Sequence, residues 1–274
     1  VAHLQAHLSF KKQSDPALIK RLYDQASTID WSAFAKKVAV FEKDTRHDVI
    51  AFLHALEEEL GADARMIHLG LTSSDVVDTA FSKLLSTAGS KILEKLSGLI
   101  KEIFEKAKVH KGVVCLGRTH GQAAEPMTFS IKLLSHACEL HRSFKRITCA
   151  VNDISVGKLS GAVGVYAHTS PDVEAEALKL YGLFPETVST QVVARDRHAA
   201  FFSSLAVLAG SMERLALEIR LLMHGEVAEV SEAFFSKQKG SSAMPHKKNP
   251  DVAELLRAKT NRLKALPTEI TFVM

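Results

Sequence analysis

Three observations predict an all-α fold, a bundle built on long helices. No proline stands between Pro16 and Pro126, so nothing in that span forces a helix to stop. Three long stretches carry apolar residues at alternating spacings of four and three, the period of a helix that buries one face. Few segments alternate apolar and polar residues with period two, the pattern of a half-buried strand. Long amphipathic helices with little strand between them pack as bundles, and these stripes are long enough for bundles of several subunits to pack together.

The elements follow in chain order. Asp15-Pro16 reads as a cap and first-turn pair for a short helix to about Ala26, because aspartate accepts a free N–H and proline has none to satisfy. Residues 31–40 make a second short amphipathic piece. Residues 44–60 place Val49, Phe52, Leu53, Leu56 and Leu60 at helical spacing, and Gly61 ends the run. Thr72-Ser73-Ser74-Asp75 fits a capping box, an acid three residues after a hydroxyl, and opens a helix running to about His110 with Ile92, Leu96, Leu99 and Ile103 on one face. Gly112 and Gly117 break the pattern. Pro126 is predicted to open the next helix, with Leu133, Ala137, Leu140, Phe144, Ile147 and Val151 along one stripe. Residues 157–170 form a glycine-bearing loop, whose Gly161-Ala162-Val163-Gly164 lacks the strand and helix that frame a dinucleotide site. Residues 171–181 read as a short helix. Residues 194–224 form the third long helix, with Phe201, Leu205, Leu208, Met212, Leu215, Ile219 and Leu222 as a packing seam. A last helix is predicted from Pro250, capped by Asn249 and carrying Leu255, Leu256, Leu263 and Leu266, until Pro267 kinks or ends it.

Composition narrows the function classes. Of the 274 residues 46% are hydrophobic and 24% charged, ordinary for a soluble globular protein and enough for one large core or two modest domains. The net charge of +4 is small, and lysines and arginines are spread among acids, so no nucleic-acid partner is expected. No uninterrupted apolar run is long enough to span a bilayer and no signal peptide is present, so no membrane partner is expected either. Cys115, Cys138 and Cys149 form no metal-like pair, and so few cysteines suit reduced thiols in a cytoplasmic protein. There is no HExxH, paired CxxC, P-loop or GxSxG elbow. What remains is a set of histidines, hydroxyls, amides and lysines suited to proton transfer on an anionic substrate, with neither metal nor cofactor expected.

Three polar constellations stand out. In residues 239–254, KGSSAMPHKKNPDVAE, Gly240 frees the backbone, Ser241 and Ser242 offer hydroxyls, and His246, Lys247 and Lys248 gather positive charge. The helix start predicted at Asn249-Pro250 adds free N–H groups, so the whole is a receiver for an anion; a surface loop with solvated lysines is the plainer reading of the same composition. In Gly117-Arg118-Thr119-His120-Gly121-Gln122 a histidine sits between glycines that let the backbone approach a ligand. Its ordinary pKa of about 6.5 suits proton transfer near neutrality. The chain has 13 histidines, and a lone one is more often structural or merely exposed, so spacing alone leaves both roles open. The hydroxyls at Thr72 to Ser74 cap a helix, which needs only one of them, and the cluster also suits gripping a carboxylate; both roles stand.

Residues 240–250, GSSAMPHKKNP, resemble the signature loop of the fumarase/aspartase superfamily, and the Met-Pro-His-Lys form is nearest to the adenylosuccinate lyases within it. Further stretches are similar to the bacterial members of that family in the family's order. They are Thr45-Arg46-His47-Asp48-Val49, the run HLGLTSSDVVDT at 68–79, Arg118-Thr119-His120-Gly121-Gln122, Ser189-Thr190-Gln191, and Arg195-Asp196-Arg197-His198. The resemblance covers about 44–260. TSSDVVDTA together with RTHGQ favours this family over the argininosuccinate lyases and the carboxymuconate cycloisomerases, which share a similar loop.

The resemblance implies reversible anti-elimination in purine biosynthesis. A C–N bond of a succinyl-amine breaks and fumarate leaves, giving AMP from adenylosuccinate and the carboxamide ribotide from its succinylo form. A base removes a proton beside a carboxylate, charge builds there as an aci-carboxylate, and an acid protonates the departing nitrogen. By the same resemblance Ser241 is the base, His120 the acid, and Glu254 the group that orients His120. Thr72, Ser73, Lys247 and Asn249 hold the succinyl carboxylates. Arg46, His47 and Asp48 contact the nucleotide; Thr119, Gln191 and Ser242 meet other substrate groups; and His68 lies in the site. An unactivated serine is a poor base, so its alkoxide needs Lys247 and loop N–H groups around it once the loop closes and excludes water. The resemblance also implies a homotetramer whose active sites are shared among subunits.

Family members begin with a segment bearing a phosphate-gripping Arg-Tyr pair and continue into a small helical third domain, and neither matches here. The chain therefore reads as truncated at both ends, with an N-terminal helical domain at 1–73, a central long-helix bundle at 74–274 and the C-terminal small domain absent. Two rival readings stand beside the lyase: another superfamily enzyme, a carboxymuconate cycloisomerase or argininosuccinate lyase, and an inactive helical fragment or scaffold. The presence of both His120 and Ser241 speaks against the scaffold.

Overall fold

The computed structural model describes residues 1–271 except Ser236, Lys239, Ser242 and Pro245. The chain is mainly helical. In order the elements are α1 (Ala2–Phe10), α2 (Pro16–Ser27), α3 (Trp31–Thr45), α4 (Asp48–Leu60), a 3-10 turn (Gly61–Met66), α5 (Ser73–Val109), β1 (Val114–Thr119), β2 (Gln122–Thr128), α6 (Phe129–Ile154), β3 (Val156–Gly157), α7 (Pro171–Lys179), β4 (Phe184–Pro185), α8 (Asp196–Leu222) and α9 (Asp251–Thr271). They form two compact units, Val1–Ser86 with Ser155–Ala194, and Thr87–Ile154 with Arg195–Met274.

The first unit is made of short, individually capped helices. Asp15 Oδ1 accepts the Leu18 N–H at 2.9 Å and Pro16 takes the first turn, as the sequence predicts for α2. Asp30 caps α3 through the Ser32 and Ala33 N–H groups, and that helix continues to Thr45, beyond the predicted end at 40. Arg46 stops it in the left-handed conformation, φ 49°, so α4 begins at Asp48 rather than at 44. Leu4, Leu18, Leu22, Phe34, Leu56 and Leu60 join α1 to α4 in one apolar core. A second core, with Ala6, Leu159, Val173, Leu178 and Leu183, packs α1 on α7. Strands β3 and β4 pair in parallel, Val156 with Phe184 and Gly157 with Pro185. Gly164 has φ 80°, and a Cβ there would stand 2.0 Å from the Ser189 carbonyl oxygen, so no other residue fits.

The second unit holds the long helices. Gly89 lets α5 approach its neighbours: a Cβ would lie 2.4 Å from Val151 Cγ2 and 3.0 Å from Phe201 Cε2. On α6 the predicted stripe buries Ala137, Leu140, Ile147 and Val151. On α8 only Phe201 and Leu222 of the predicted seam are fully buried; Leu205, Leu208, Met212, Leu215 and Ile219 are half-buried. By length and composition alone α8 is apolar enough to cross a membrane; here it packs against α6 and α9. Cys115, Cys138 and Cys149 are free thiols.

Two proline expectations are corrected. Pro126 does not open a helix; it lies in β2 opposite Leu116, and α6 starts three residues later at Phe129. Both strands of a two-stranded ribbon are edges, where a missing N–H is tolerated. Pro267 lies inside α9, which runs on to Thr271. The proline has no N–H to give to the carbonyl four residues back, and this costs one bond without ending the helix.

Gly164→Ala is expected to destabilise the protein by at least about 1–2 kcal/mol, the cost of left-handed backbone for an L-residue, with the clash at Ser189 added to it. The urea midpoint measures this, and an unchanged midpoint contradicts the account of the Gly164 turn.

Candidate active site

The residues singled out in the sequence fall in both units. In the first, Thr72 and Ser73 are half-buried where the chain enters α5. The Thr72 N–H donates to Asp75 Oδ2 at 2.8 Å, the acid's half of the predicted capping box. Asp75 is more than a cap. It is wholly buried, and so is Lys158, whose Nζ lies 2.5 Å from Asp75 Oδ1. The ammonium also donates to the Gly161 carbonyl at 2.7 Å, while the Gly161 N–H donates to Asp75 Oδ2 at 3.2 Å. The Thr79 hydroxyl donates to the Lys158 carbonyl and accepts its N–H, each at 3.0 Å. Removing one member of such a pair costs ~3–5 kcal/mol, because the other charge is left buried alone.

Glu174 continues this network. Its Oε1 accepts the Leu159 N–H and its Oε2 the Tyr166 hydroxyl, both at 2.6 Å. Burial pushes the Glu174 pKa up, and burial together with the bond to Glu174 pushes the Tyr166 phenol up. Residues 158–166, a strap after β3, are tied to the chain after β4 where the Ser160 and Ser189 hydroxyls meet at 3.0 Å, and that chain is tied to α5 where the Val193 N–H donates to Asp78 Oδ2 at 2.8 Å. Gln191 lies exposed between those anchors. The sequence reading gave Asp75 only a capping role and residues 157–170 only a loop. The signal it passed over is the lone lysine in Val156-Gly157-Lys158-Leu159.

Arg46, His47 and Asp48 are exposed at the junction of α3 and α4. His47 caps α4, its Nδ1 accepting the Ile50 N–H at 3.4 Å. Asp48 Oδ1 accepts the Val49 N–H at 2.8 Å. His68 is half-buried beside a cleft of about 420 Å³ that it lines with His54, Glu57 and Arg65. Its Nε2 is buried with no hydrogen-bond partner. Burial lowers its pKa, opposed by the Asp75 charge and a backbone bond with Thr72. Two further histidines, unmarked in the sequence, lie on α1. His3 and His7 are buried with ring centroids 5.8 Å apart, and His3 Nε2 is 3.4 Å from the Thr169 hydroxyl. Burial first, then His7, the chain's first amino group and His68, push His3 down to about 4.

In the second unit Thr119 and His120 are exposed at the tip of the β1–β2 hairpin. His120 and Gly121 have φ 53° and 77°, the two positive values that a two-residue type I′ turn requires. A bulge between Leu116 and Arg118 sits at Gly117, where a Cβ would be 2.6 Å from the Glu125 carbonyl oxygen. Sequence periodicity did not show this ribbon.

The serine loop is built around one close approach. A Cβ on Gly240 would stand 1.8 Å from the Lys247 carbonyl oxygen, so only glycine closes the loop, and the Asn249 Nδ2 donates to the Gly240 carbonyl at 3.0 Å. Within it Ser241 Oγ accepts the N–H groups of Ala243 and Met244, both at 3.3 Å. Two donors on one hydroxyl oxygen favour negative charge developing there. Lys247 is exposed, and Lys248 Nζ stands 5.6 Å from the Phe234 ring centroid. Ser242 lies outside the described residues.

The predicted cap of the last helix is corrected. Its free Val252 and Ala253 N–H groups donate to the Glu232 carboxylate at 3.1 and 2.9 Å, while Asn249 turns back to Gly240. A carboxylate is favoured over an amide at the positive end of a helix, so the expected open anion receiver already holds an anion of the chain itself. Glu254 accepts from Arg220 Nε at 3.2 Å. Among the described residues no hydrogen bond or ion pair links His120 to Ser241 or Glu254. A cavity of about 840 Å³ in this unit, with Cys115, Lys132, His136 and Glu218 among its walls, includes none of the singled-out residues.

The model of the Lyase family matches residues 11–264. The adenylosuccinate lyase of Thermotoga maritima is 47% identical over 237 residues, 86% of this chain and 54% of its own length. That of Bacillus subtilis is 50% identical over 214 residues, 78% of this chain and 50% of its own. The crystal structure of the 3-carboxy-cis,cis-muconate lactonizing enzyme from Pseudomonas putida is 29% identical, with a TM-score of 0.83 over 97% of this chain and 60% of that one. The chain thus spans about half the length of the curated relatives it matches.

His3 carries a pH prediction. Its folded pKa of about 4 lies below its ordinary 6.5, so the neutral ring stabilises the fold above pH 6.5, and this contribution is lost as pH falls toward 4. The loss is on the order of 3 kcal/mol at 1.36 kcal/mol per unit. Urea unfolding of the native protein and His3→Asn at pH 7, 5 and 4 measures it: the variant is expected to show a flatter dependence, and parallel curves contradict it.

Proposed function

The chain belongs to the Lyase family, and on that premise we propose that it carries the fumarate-releasing chemistry of an adenylosuccinate lyase. The observation that carries this reading is the pair of N–H groups on Ser241 Oγ. A serine hydroxyl has no useful basicity at neutral pH; its anion becomes accessible only where fixed donors stabilise it. Identities of 47% and 50% to two proteins named adenylosuccinate lyase favour a succinyl-purine nucleotide over the muconate of the 29% identical enzyme.

In this proposal Ser241 Oγ removes the proton beside the succinyl carboxylate. Charge spreads into that carboxylate, which Thr72, Ser73, Lys247 and Asn249 hold. His120 gives its proton to the leaving nitrogen. Its hairpin-tip position leaves the ring free to reach a substrate. Arg46, His47 and Asp48 face the nucleotide, with His68, Thr119, Gln191 and Ser242 at its remaining groups. Glu254 pairs with Arg220 within one chain, so its orienting role on His120 is proposed to act between subunits, in a homotetramer with shared sites. The succinylo-carboxamide ribotide bears the same succinyl-amine and is proposed as a second substrate. The cytoplasm is the proposed compartment.

Ser241→Ala and His120→Ala are each expected to lower turnover at least about a hundredfold, the lower end for acid–base residues. Fumarate formation from adenylosuccinate by the full chain measures this, with thermal melts as the folding control. Near-native turnover in either folded variant overturns that residue's role.

A further inference from the structure

We infer that Lys158 is a positioning residue for the carboxylate grip at Thr72 and Ser73; the inference rests on the lyase reading above. The substrate-binding residues proposed there do not include it, and it touches no reacting atom. It acts through Asp75.

The geometry is specific. Lys158 Nζ holds Asp75 Oδ1 at 2.5 Å and the Gly161 carbonyl at 2.7 Å. With one carboxylate oxygen fixed, the other is fixed too, and it accepts the Thr72 N–H at 2.8 Å and the Gly161 N–H at 3.2 Å. The orientation of the Thr72 peptide is therefore set by an ammonium in the interior. The Thr72 and Ser73 hydroxyls make no hydrogen bond among the described residues, which leaves both for a substrate carboxylate. The same strap reaches the other side of the unit. Ser160 bonds Ser189, and Gly164 abuts the Ser189 carbonyl, two residues before Gln191. Glu174 holds the strap from below through the Leu159 N–H and the Tyr166 hydroxyl.

A purely structural role explains this poorly. Both side chains are wholly buried, and a buried ion pair is often replaced by apolar residues of similar volume without loss of stability. An apolar pair could fill the same volume. It would not orient the Thr72 N–H.

That contrast supplies the test. Lys158→Met alone strands the Asp75 charge and can fail to fold, so the informative variant is Asp75→Leu with Lys158→Met, made in the full chain. It is expected to fold, with a melting temperature lowered by the lost partners of the Thr72 N–H and of the Gly161 N–H and carbonyl. Amide exchange at Thr72 and Gly161 is expected to rise at least tenfold, fumarate affinity to fall at least tenfold, and KM for adenylosuccinate to rise at least tenfold with kcat within threefold. Unchanged exchange at Thr72 overturns the clamp. Faster exchange with native fumarate affinity and KM overturns the positioning role. A native chain that neither binds fumarate nor releases it overturns the lyase reading itself, and the positioning role with it, which is a different signature from a native chain that binds and a variant that also binds.

Discussion

Two opposite charges with no access to water constrain the first unit at the entry to α5. Asp75 and Lys158 are both fully enclosed, and each must find all its partners inside the protein. Asp75 therefore takes N–H groups from the α5 entry and from the strap at Gly161, while Lys158 takes a carbonyl from the same strap. Segments 83 and more residues apart in sequence are tied at one point. The glycines around that point follow from the same crowding: at Gly157 a Cβ would come within 2.4 Å of Leu178, and at Gly164 within 2.0 Å of the Ser189 carbonyl.

The second unit solves a comparable problem at its surface. The serine loop carries a run of positive charge beside a helix start, and Glu232 supplies the balancing carboxylate to that helix. The loop's own N–H groups at 243 and 244 donate to Ser241 Oγ. A hydroxyl that accepts from two backbone donors is biased toward its anion, and Lys247 in the same loop is exposed. The helix start and the Ser241 hydroxyl are thus served by different partners, and Asn249 closes the loop on the Gly240 carbonyl instead of capping the helix.

Most of the fold was legible in the sequence because helix periodicity is a local signal. The helices that carry the α6 and α8 stripes, the Asp15-Pro16 start and the Gly61 stop appear where their residues predict. The β1–β2 ribbon was not legible: its alternation is interrupted by a bulge at Gly117, and Pro126 reads as a helix start when taken alone. The motif matches found the serine loop and the histidine turn, whose residues are contiguous. It could not find Lys158, Glu174 or Glu232, since each matters through a partner at least 15 residues away. Long-range polar pairing leaves no periodic trace; a single charged residue in an apolar run is the only mark it makes.

The substrate contrast tests the central claim most directly. The full chain would be given adenylosuccinate and, separately, 3-carboxy-cis,cis-muconate, with fumarate formation and muconate consumption followed by absorbance. The account predicts fumarate from the first and no consumption of the second. Consumption of the muconate with no fumarate from adenylosuccinate would contradict it.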